Sequence, residues 1–313
     1  MKKLSVWLAI VGLFTLVTAP AATLVEKFAT DPSLAGWQAY GDTNLFQWNS
    51  TNQVLDVTWD STQPNSYYYH PLGATFTQTD SFCVLFDLQL NDAVALNSGS
   101  ELAIGLLNFS DATNVDFSRA DGTAINVAEF DYFPAYSYAG TPYPASADAT
   151  LIDATTNYFF AYDNVTLNPG LYHVLLIHQA GTSTISGEVF TNGQLMTALP
   201  IVYNGGTGAF QVDTLAIDNY ADDGYGDSIL AHGTVANLAF ASPLPVGVLN
   251  TVAAGQVQFA SDTNWLYTLE QTTDFQTWSV AAPSAPGTVT NLVLQATNLP
   301  ASQSFYRVSA NLR

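Results

Sequence analysis

Basic residues are almost missing from this chain. Its 313 residues include 6 Lys and Arg against 26 Asp and Glu, a formal net charge of -20. Such a chain cannot neutralise a nucleic-acid backbone or an anionic bilayer, which excludes nucleic-acid partners. The partners left are neutral or cationic: carbohydrate, a surface glycoprotein, or Ca²⁺. Cysteine occurs once, as Cys83, so no intramolecular disulfide can form. Within Ser81-Phe82-Cys83-Val84-Leu85-Phe86 it reads as a small buried apolar residue. Charge of either sign is sparse, at 10% against 48% hydrophobic, so this is not a disordered acidic polymer. Beyond the N-terminus no apolar run is long enough for a transmembrane helix, and no membrane insertion is expected.

The N-terminus does carry an apolar run. Lys2 and Lys3 precede residues 4–17, and Ala19-Pro20-Ala21 follows. These are the basic, apolar and small-residue parts of a bacterial Sec-type signal peptide. Residues 1–22 are therefore expected to be removed. No Cys follows the apolar run, so no lipid anchor is expected. The address implied is secreted, extracellular or cell-surface.

What remains is rich in Thr, Val, Tyr and Phe, with turn residues every ten or so positions, the pattern of an all-β sandwich or barrel. Phe82, Val84, Phe86, Leu88 and Leu90 alternate with Cys83, Leu85, Asp87 and Gln89. Thr191-Asn192-Gly193 carries the Asn-Gly hairpin signal. Residues 157–166 read as a strand, and no helix is predicted. Ser242-Pro243-Leu244-Pro245 marks a boundary. The expected division is a large domain over 23–242, a Pro-rich linker over 243–248 and a small β-domain over 249–313. Trp265, Tyr267, Phe275, Trp278, Phe305 and Tyr306 are candidates for the small core.

The chemistry-bearing stretch is Ile125-Asn126-Val127-Ala128-Glu129-Phe130-Asp131-Tyr132-Phe133-Pro134. On a strand Val127, Glu129, Asp131 and Phe133 share one face, with the two acids roughly 7 Å apart. Like charges so placed want water, a cation or ligand hydroxyls between them. They are expected to stand solvated on an open concave face, where they could bind a ligand. Tyr132, Tyr136, Tyr138 and Tyr143 crowd this strand and its following loop, and rings with a polar handle suit sugar faces. Tyr67, Tyr68 and Tyr69 read instead as cross-strand packing. A second acidic cluster, Asp218-Asn219-Tyr220-Ala221-Asp222-Asp223-Gly224-Tyr225-Gly226-Asp227, reads as a hydrated loop. Asp218, Asp222, Asp223 and Asp227 there are candidate Ca²⁺ ligands, although the spacing is not that of an EF-hand. His173 and His178 are five apart on one strand, face opposite sides and cannot form a metal pair.

Several of these pieces, in order, resemble the concanavalin A-like jelly-roll superfamily of legume lectins, laminin G-like domains and family 16 glucanases. They are Val127 to Asp131, Tyr172-His173 with the strand it opens, Gly187 to Gly193, and Phe210 to Ile217. The resemblance implies a large antiparallel jelly-roll β-sandwich over 23–242. Residues Tyr267 to Glu270, Asp274-Phe275, Trp278 and Phe305 to Val308 resemble a small C-terminal β-domain of secreted Verrucomicrobia and Planctomycetes proteins. In the glucanases the strand carries a nucleophile and, further on, an acid/base. Glu129 and Asp131 match its start, but Phe133 and Pro134 stand where the acid/base belongs. In legume lectins the same Glu and Asp hold a Mn²⁺/Ca²⁺ pair. Here Ala135 replaces the Asn that should follow. The expectation is thus a lectin-like binding protein rather than an enzyme. A structural or adhesive surface protein is the alternative, and a divergent glycoside hydrolase a second.

Overall fold

The protein is described here from a computed structural model covering residues 22–95, 101–199, 208–221, 229–242, 244, 250–253, 255–273, 277–288, 290–298 and 305–312. The signal-peptide reading and most of the 243–248 linker lie outside the described residues. No helix among those described is long and apolar enough to cross a membrane.

Two antiparallel sheets face each other as an all-β jelly-roll sandwich. The back sheet runs Gln194–Leu199, Ile185–Thr191, Gly170–His178, Phe82–Ala95, Ile229–Ser242, Val54–Asp60, Phe46–Asn49, with Ala22–Glu26 also on Ile229–Ser242. The front sheet runs Tyr158–Phe159, Ser146–Ile152, Val127–Phe133, Leu102–Leu107, Gln211–Asn219, Ser66–Thr77, Gln38–Tyr40. In both sheets hairpin-connected pairs alternate with neighbours far apart in sequence, such as Phe82–Ala95 beside Ile229–Ser242 and Leu102–Leu107 beside Gln211–Asn219, so the order contains crossovers and is not a simple meander. The alternation of Phe82, Val84, Phe86, Leu88 and Leu90 sends all five into the space between the sheets, each at most 1% exposed. Phe130 meets them from the front sheet, its ring centroid 5.9 Å from that of Phe86. Each such side chain contributes roughly 1.5–3 kcal/mol by leaving water, which makes this layer the main source of stability. The predicted hairpin over 185–199 forms, with Asn192 and Gly193 both at positive φ.

Two expectations are corrected. The strand over 157–166 is only Tyr158–Phe159 plus one bridge from Asp163 to Ala147. A single helical turn, Phe109–Ala112, does occur, capped by the Asn108 side chain.

The front sheet is apolar on its outer face too. Tyr67, Tyr69, Ala103, Leu107, Val127 and Ala216 form a second core there, roofed by Ala112, Phe117 and Ala124 of the connection over 108–126. Tyr67 donates to the carbonyl of Ala112 (2.9 Å), which ties the roof to the sheet. Tyr68 points inward and stacks on Trp37 at 5.3 Å, so the reading of all three tyrosines as packing residues agrees with their placement.

The outer face of the back sheet is covered differently. Strands over 250–312 build a three-stranded and a four-stranded sheet. Val257, Phe259, Trp265, Tyr267 and Leu269 form one cluster with Cys83 and Ala241, with Leu85, Leu175 and Ile177 against it. The C-terminal core is therefore completed by the sandwich. Burial pushes the Cys83 thiol up to about 12, which leaves it an inert apolar residue.

Register places Thr150, Glu129, Gly105 and Ala216 side by side across four strands. A Cβ at Gly105 would lie 2.4 Å from the Cα of Glu129. Gly105→Ala should therefore destabilise the domain by at least the ~1–3 kcal/mol usual for overpacking, read as a lower urea midpoint at unchanged slope.

Candidate functional site

The strand Val127–Phe133 is introduced by Asn126, held at φ 56°. Asparagine tolerates this left-handed conformation because its short side chain bonds locally. Its Oδ1 accepts from the Gln211 amide (2.9 Å) and its Nδ2 donates to Asp111 (2.7 Å). One residue thereby ties the strand to the start of Gln211–Asn219, two places along the sheet, and to the roof above them.

The strand then presents Val127, Glu129, Asp131 and Phe133 outward, as the two-residue period requires. The next row of the register runs Asp148, Asp131, Ala103, Asp218 and Tyr67. Small Ala103 and Gly105 leave room between the acids. Three aspartates and Glu129 are thus brought onto one patch from three strands, although they are up to 89 residues apart in sequence. All four are between 0% and 1% exposed. The expectation of solvated carboxylates on an open face is corrected: the roof over 108–126 covers them.

Charge at this depth needs a partner. Arg119 supplies it from the turn over 118–123, where the Ser118 carbonyl accepts from the amides of Thr123 and Ala124. Its Nη2 donates to Asp131 at 2.8 Å. Its Nε lies 2.9 Å from Glu129 and 3.3 Å from Glu101. The approach to Glu129 is bent, so it is an ion pair rather than an aligned hydrogen bond. The guanidinium carbon stands 5.4 Å from the Tyr220 ring centroid and 5.5 Å from that of Tyr158. The Tyr220 hydroxyl donates to Glu129 at 2.6 Å, and the Thr150 side chain hydrogen-bonds Asp131.

One guanidinium cannot balance five carboxyls. Burial would lower the Arg119 pKa, but Asp131, Glu129 and Glu101 outweigh it, and the group stays charged. Burial raises Glu129, Asp148 and Asp218 well above the usual carboxylate range, and the Asp131 charge adds to this in each case. Asp131 itself is raised by burial, with Arg119 opposing. Asp218 has no hydrogen-bond partner on either oxygen, and Asp148 none on Oδ1.

Beside Arg119 opens a cavity of about 260 Å³. Its walls include Tyr158, Phe160, Tyr162 and Phe133, and its polar lining includes Glu101, Asp148, Thr150 and Arg119. The rings form a continuous ladder. Phe133 meets Tyr162 at 5.3 Å, Tyr162 meets Phe160 at 4.9 Å, and Phe160 meets Tyr158 at 6.4 Å. Tyr162 is 51% exposed and forms an open lip.

The residues singled out from sequence fall in different places. Glu129 and Asp131 are brought together but lie behind Arg119 and do not line the cavity. Tyr132 is corrected as a ligand contact: it points between the sheets, 2% exposed, and its hydroxyl accepts from the Leu167 amide at 3.2 Å. Tyr136–Tyr138 and Thr141–Tyr143 form a small hairpin in which Tyr136 and Tyr143 stack at 4.7 Å. It continues from the strand ends where Phe133 pairs with Ser146. Of Tyr138 only the backbone pairing is described. Asp218 belongs to a strand and the buried patch, not to a hydrated loop. Asp222, Asp223 and Asp227 lie outside the described residues, and with them most of the Ca²⁺ reading.

The metal pair implied by the lectin resemblance does not fit Glu129 and Asp131. Their carboxylates already face a fixed cation, the Arg119 guanidinium, which leaves too few free oxygens for a hard metal needing six or more. Among the described residues no group of three or more His, Cys, Asp or Glu is disposed to hold a metal.

No protein-family model matches the sequence, and the search of curated proteins returned no match. Solved structures with a similar fold include lectin II from Ulex europaeus, at 14% identity and TM-score 0.48, covering 71% of this chain and 98% of that one. Basic winged bean lectin with Tn-antigen is similar at 12% identity and TM-score 0.48, covering 72% and 100%. Alginate lyase Aly36B is similar at 9% identity and TM-score 0.44, covering 71% and 97%. These are lectins and an enzyme, and they assign no activity to this chain. The architecture above rests on its own strand order and register.

The buried acids fix a pH dependence. A carboxyl whose folded pKa is raised binds protons more tightly folded than unfolded, so stability is highest in acid and falls as pH rises past its unfolded value. The protein should therefore melt higher near pH 5 than near pH 8. Asp218→Asn should raise Tm at pH 8 by about 2–4 °C per ~1 kcal/mol relieved and flatten the profile, measured by calorimetry. An unchanged profile in that variant would contradict the account.

Proposed function

We propose that this is a secreted, lectin-like binding protein that takes a saccharide into the cavity beside Arg119 without cleaving it. The observation that carries the reading is the pairing of an aromatic ladder with buried hydrogen-bond acceptors in one small cavity. Tyr158, Phe160 and Tyr162 offer flat apolar faces to sugar C–H groups, and Asp148 and Glu101 offer oxygens to hydroxyls. The volume is below the ~300–1,000 Å³ of drug-sized sites, which suits a single sugar ring inside and the remainder of a chain outside. The exposed Tyr143 and its stacked neighbour Tyr136 are placed to meet such a remainder.

A binding role fits the carboxyls better than hydrolysis does. Glu129, the residue that would serve as nucleophile, is held by Arg119 and Tyr220 and does not line the cavity. Tyr162→Ala, made in the full chain and tested on a broad glycan array, should lower binding at least about tenfold, the ~1.4 kcal/mol expected for one stacked ring. Undiminished binding in that variant would move the site elsewhere. Release of shortened products from any bound polysaccharide would overturn the non-catalytic part.

A further inference from the structure

The cavity beside Arg119 carries an excess of carboxyl groups over cations, and burial disfavours their charged forms unless a counter-charge arrives. Glu101 and Asp148 line it, and Glu129, Asp131 and Asp218 stand behind. Arg119 is committed to Glu101, Glu129 and Asp131. Asp148 is 1% exposed, and its Oδ1 has no hydrogen-bond partner although the residue lines the cavity. No ion pair to Asp148 or Asp218 forms among the described residues. Asp148 thus keeps one buried oxygen without a donor and has no ion pair of its own, although Thr150 hydrogen-bonds the group and Arg119 stands in reach of its charge.

A sugar hydroxyl supplies the donor alone. A uronate would add to the excess. A primary ammonium supplies both, with three donors and one positive charge. The remaining wall, with Phe160 and Tyr162 in it, is aromatic, a lining compatible with a cation.

We propose that the cavity selects a saccharide bearing a free amine, a 2-amino-2-deoxy sugar, with the ammonium group against Asp148 and the ring against the aromatic ladder. The inference rests on the saccharide reading and narrows it. It also gives the strongly acidic character of the chain a use, because the surrounding field draws polycationic chains toward the site.

The test compares three β-1,4-linked tetrasaccharides that differ only at C2: glucosamine, N-acetylglucosamine and glucose. Titration calorimetry on the full chain at low salt and slightly acid pH should show the amine form bound at least about tenfold more tightly than the other two. That advantage should shrink with added NaCl as the charge term is screened, while any binding of the glucose form holds steady. Asp148→Asn should bring the amine-to-hydroxyl affinity ratio close to one. If that variant does not fold, the salt series on the natural protein decides alone. Preference for glucose or N-acetylglucosamine, or an amine advantage indifferent to salt, would overturn the inference and leave the saccharide reading standing. A simple alkylammonium ion bound as tightly as the glucosamine tetramer would remove the sugar from it. Absence of binding to these three and to the whole glycan array would take down both.

Discussion

The contact on which the front face depends is the one between Arg119 and the carboxylates of Glu129, Asp131 and Glu101. The sheet register brings four acids onto one buried patch, and no apolar neighbour could make that tolerable. Isolated carboxylates at this depth cost several kcal/mol each. A guanidinium can meet several at once, because its donors fan out in a plane, and its faces can lie against Tyr158 and Tyr220. Lysine, a compact point charge, offers no such fan. The roof over 108–126 is then more than a cover: it delivers the one cation that lets the patch exist. Because Arg119 does not pair with every acid, the patch keeps carboxyl groups without an ion pair beside the cavity, their charged forms disfavoured by burial.

The two outer faces of the sandwich have parted roles. The back face gives Cys83, Leu85, Leu175 and Ile177 to a core shared with the C-terminal strands. The front face keeps a cavity walled by rings and acids. That cavity lies at the edge where Tyr158–Phe159 ends the sheet and the ring ladder begins. The C-terminal strands complete their core on the opposite side and leave that edge open.

Much of the fold was legible in the sequence because alternation is a local signal. Phe82 to Leu90 and the Asn192-Gly193 hairpin needed only the strand period and turn chemistry. The shared outward face of Glu129 and Asp131 was legible for the same reason. Their burial was not, because it depends on a connection that folds back over the sheet and shows no regular period. No local motif marks Arg119, although between residues 23 and 242 the only Lys or Arg residues are Lys27 and Arg119. In a chain so acidic, a lone arginine is itself a pointer to a buried ion pair. Tyr158, Phe160 and Tyr162 alternate with buried Phe159 and could have been read as one face. Asp148 and Asp218 join the patch only through cross-strand register, which no single segment encodes.

The central claim is that Arg119 is present to compensate buried acids, and equilibrium urea unfolding of three proteins tests it most directly. Arg119→Met should cost about 3–5 kcal/mol relative to the natural chain, since it leaves charges buried without a partner. Adding Glu129→Gln and Asp131→Asn to that variant should restore most of the loss, because the groups left behind no longer carry charge. A triple variant as unstable as Arg119→Met alone would contradict the account. It would show that the arginine acts through packing of the roof rather than through its charge.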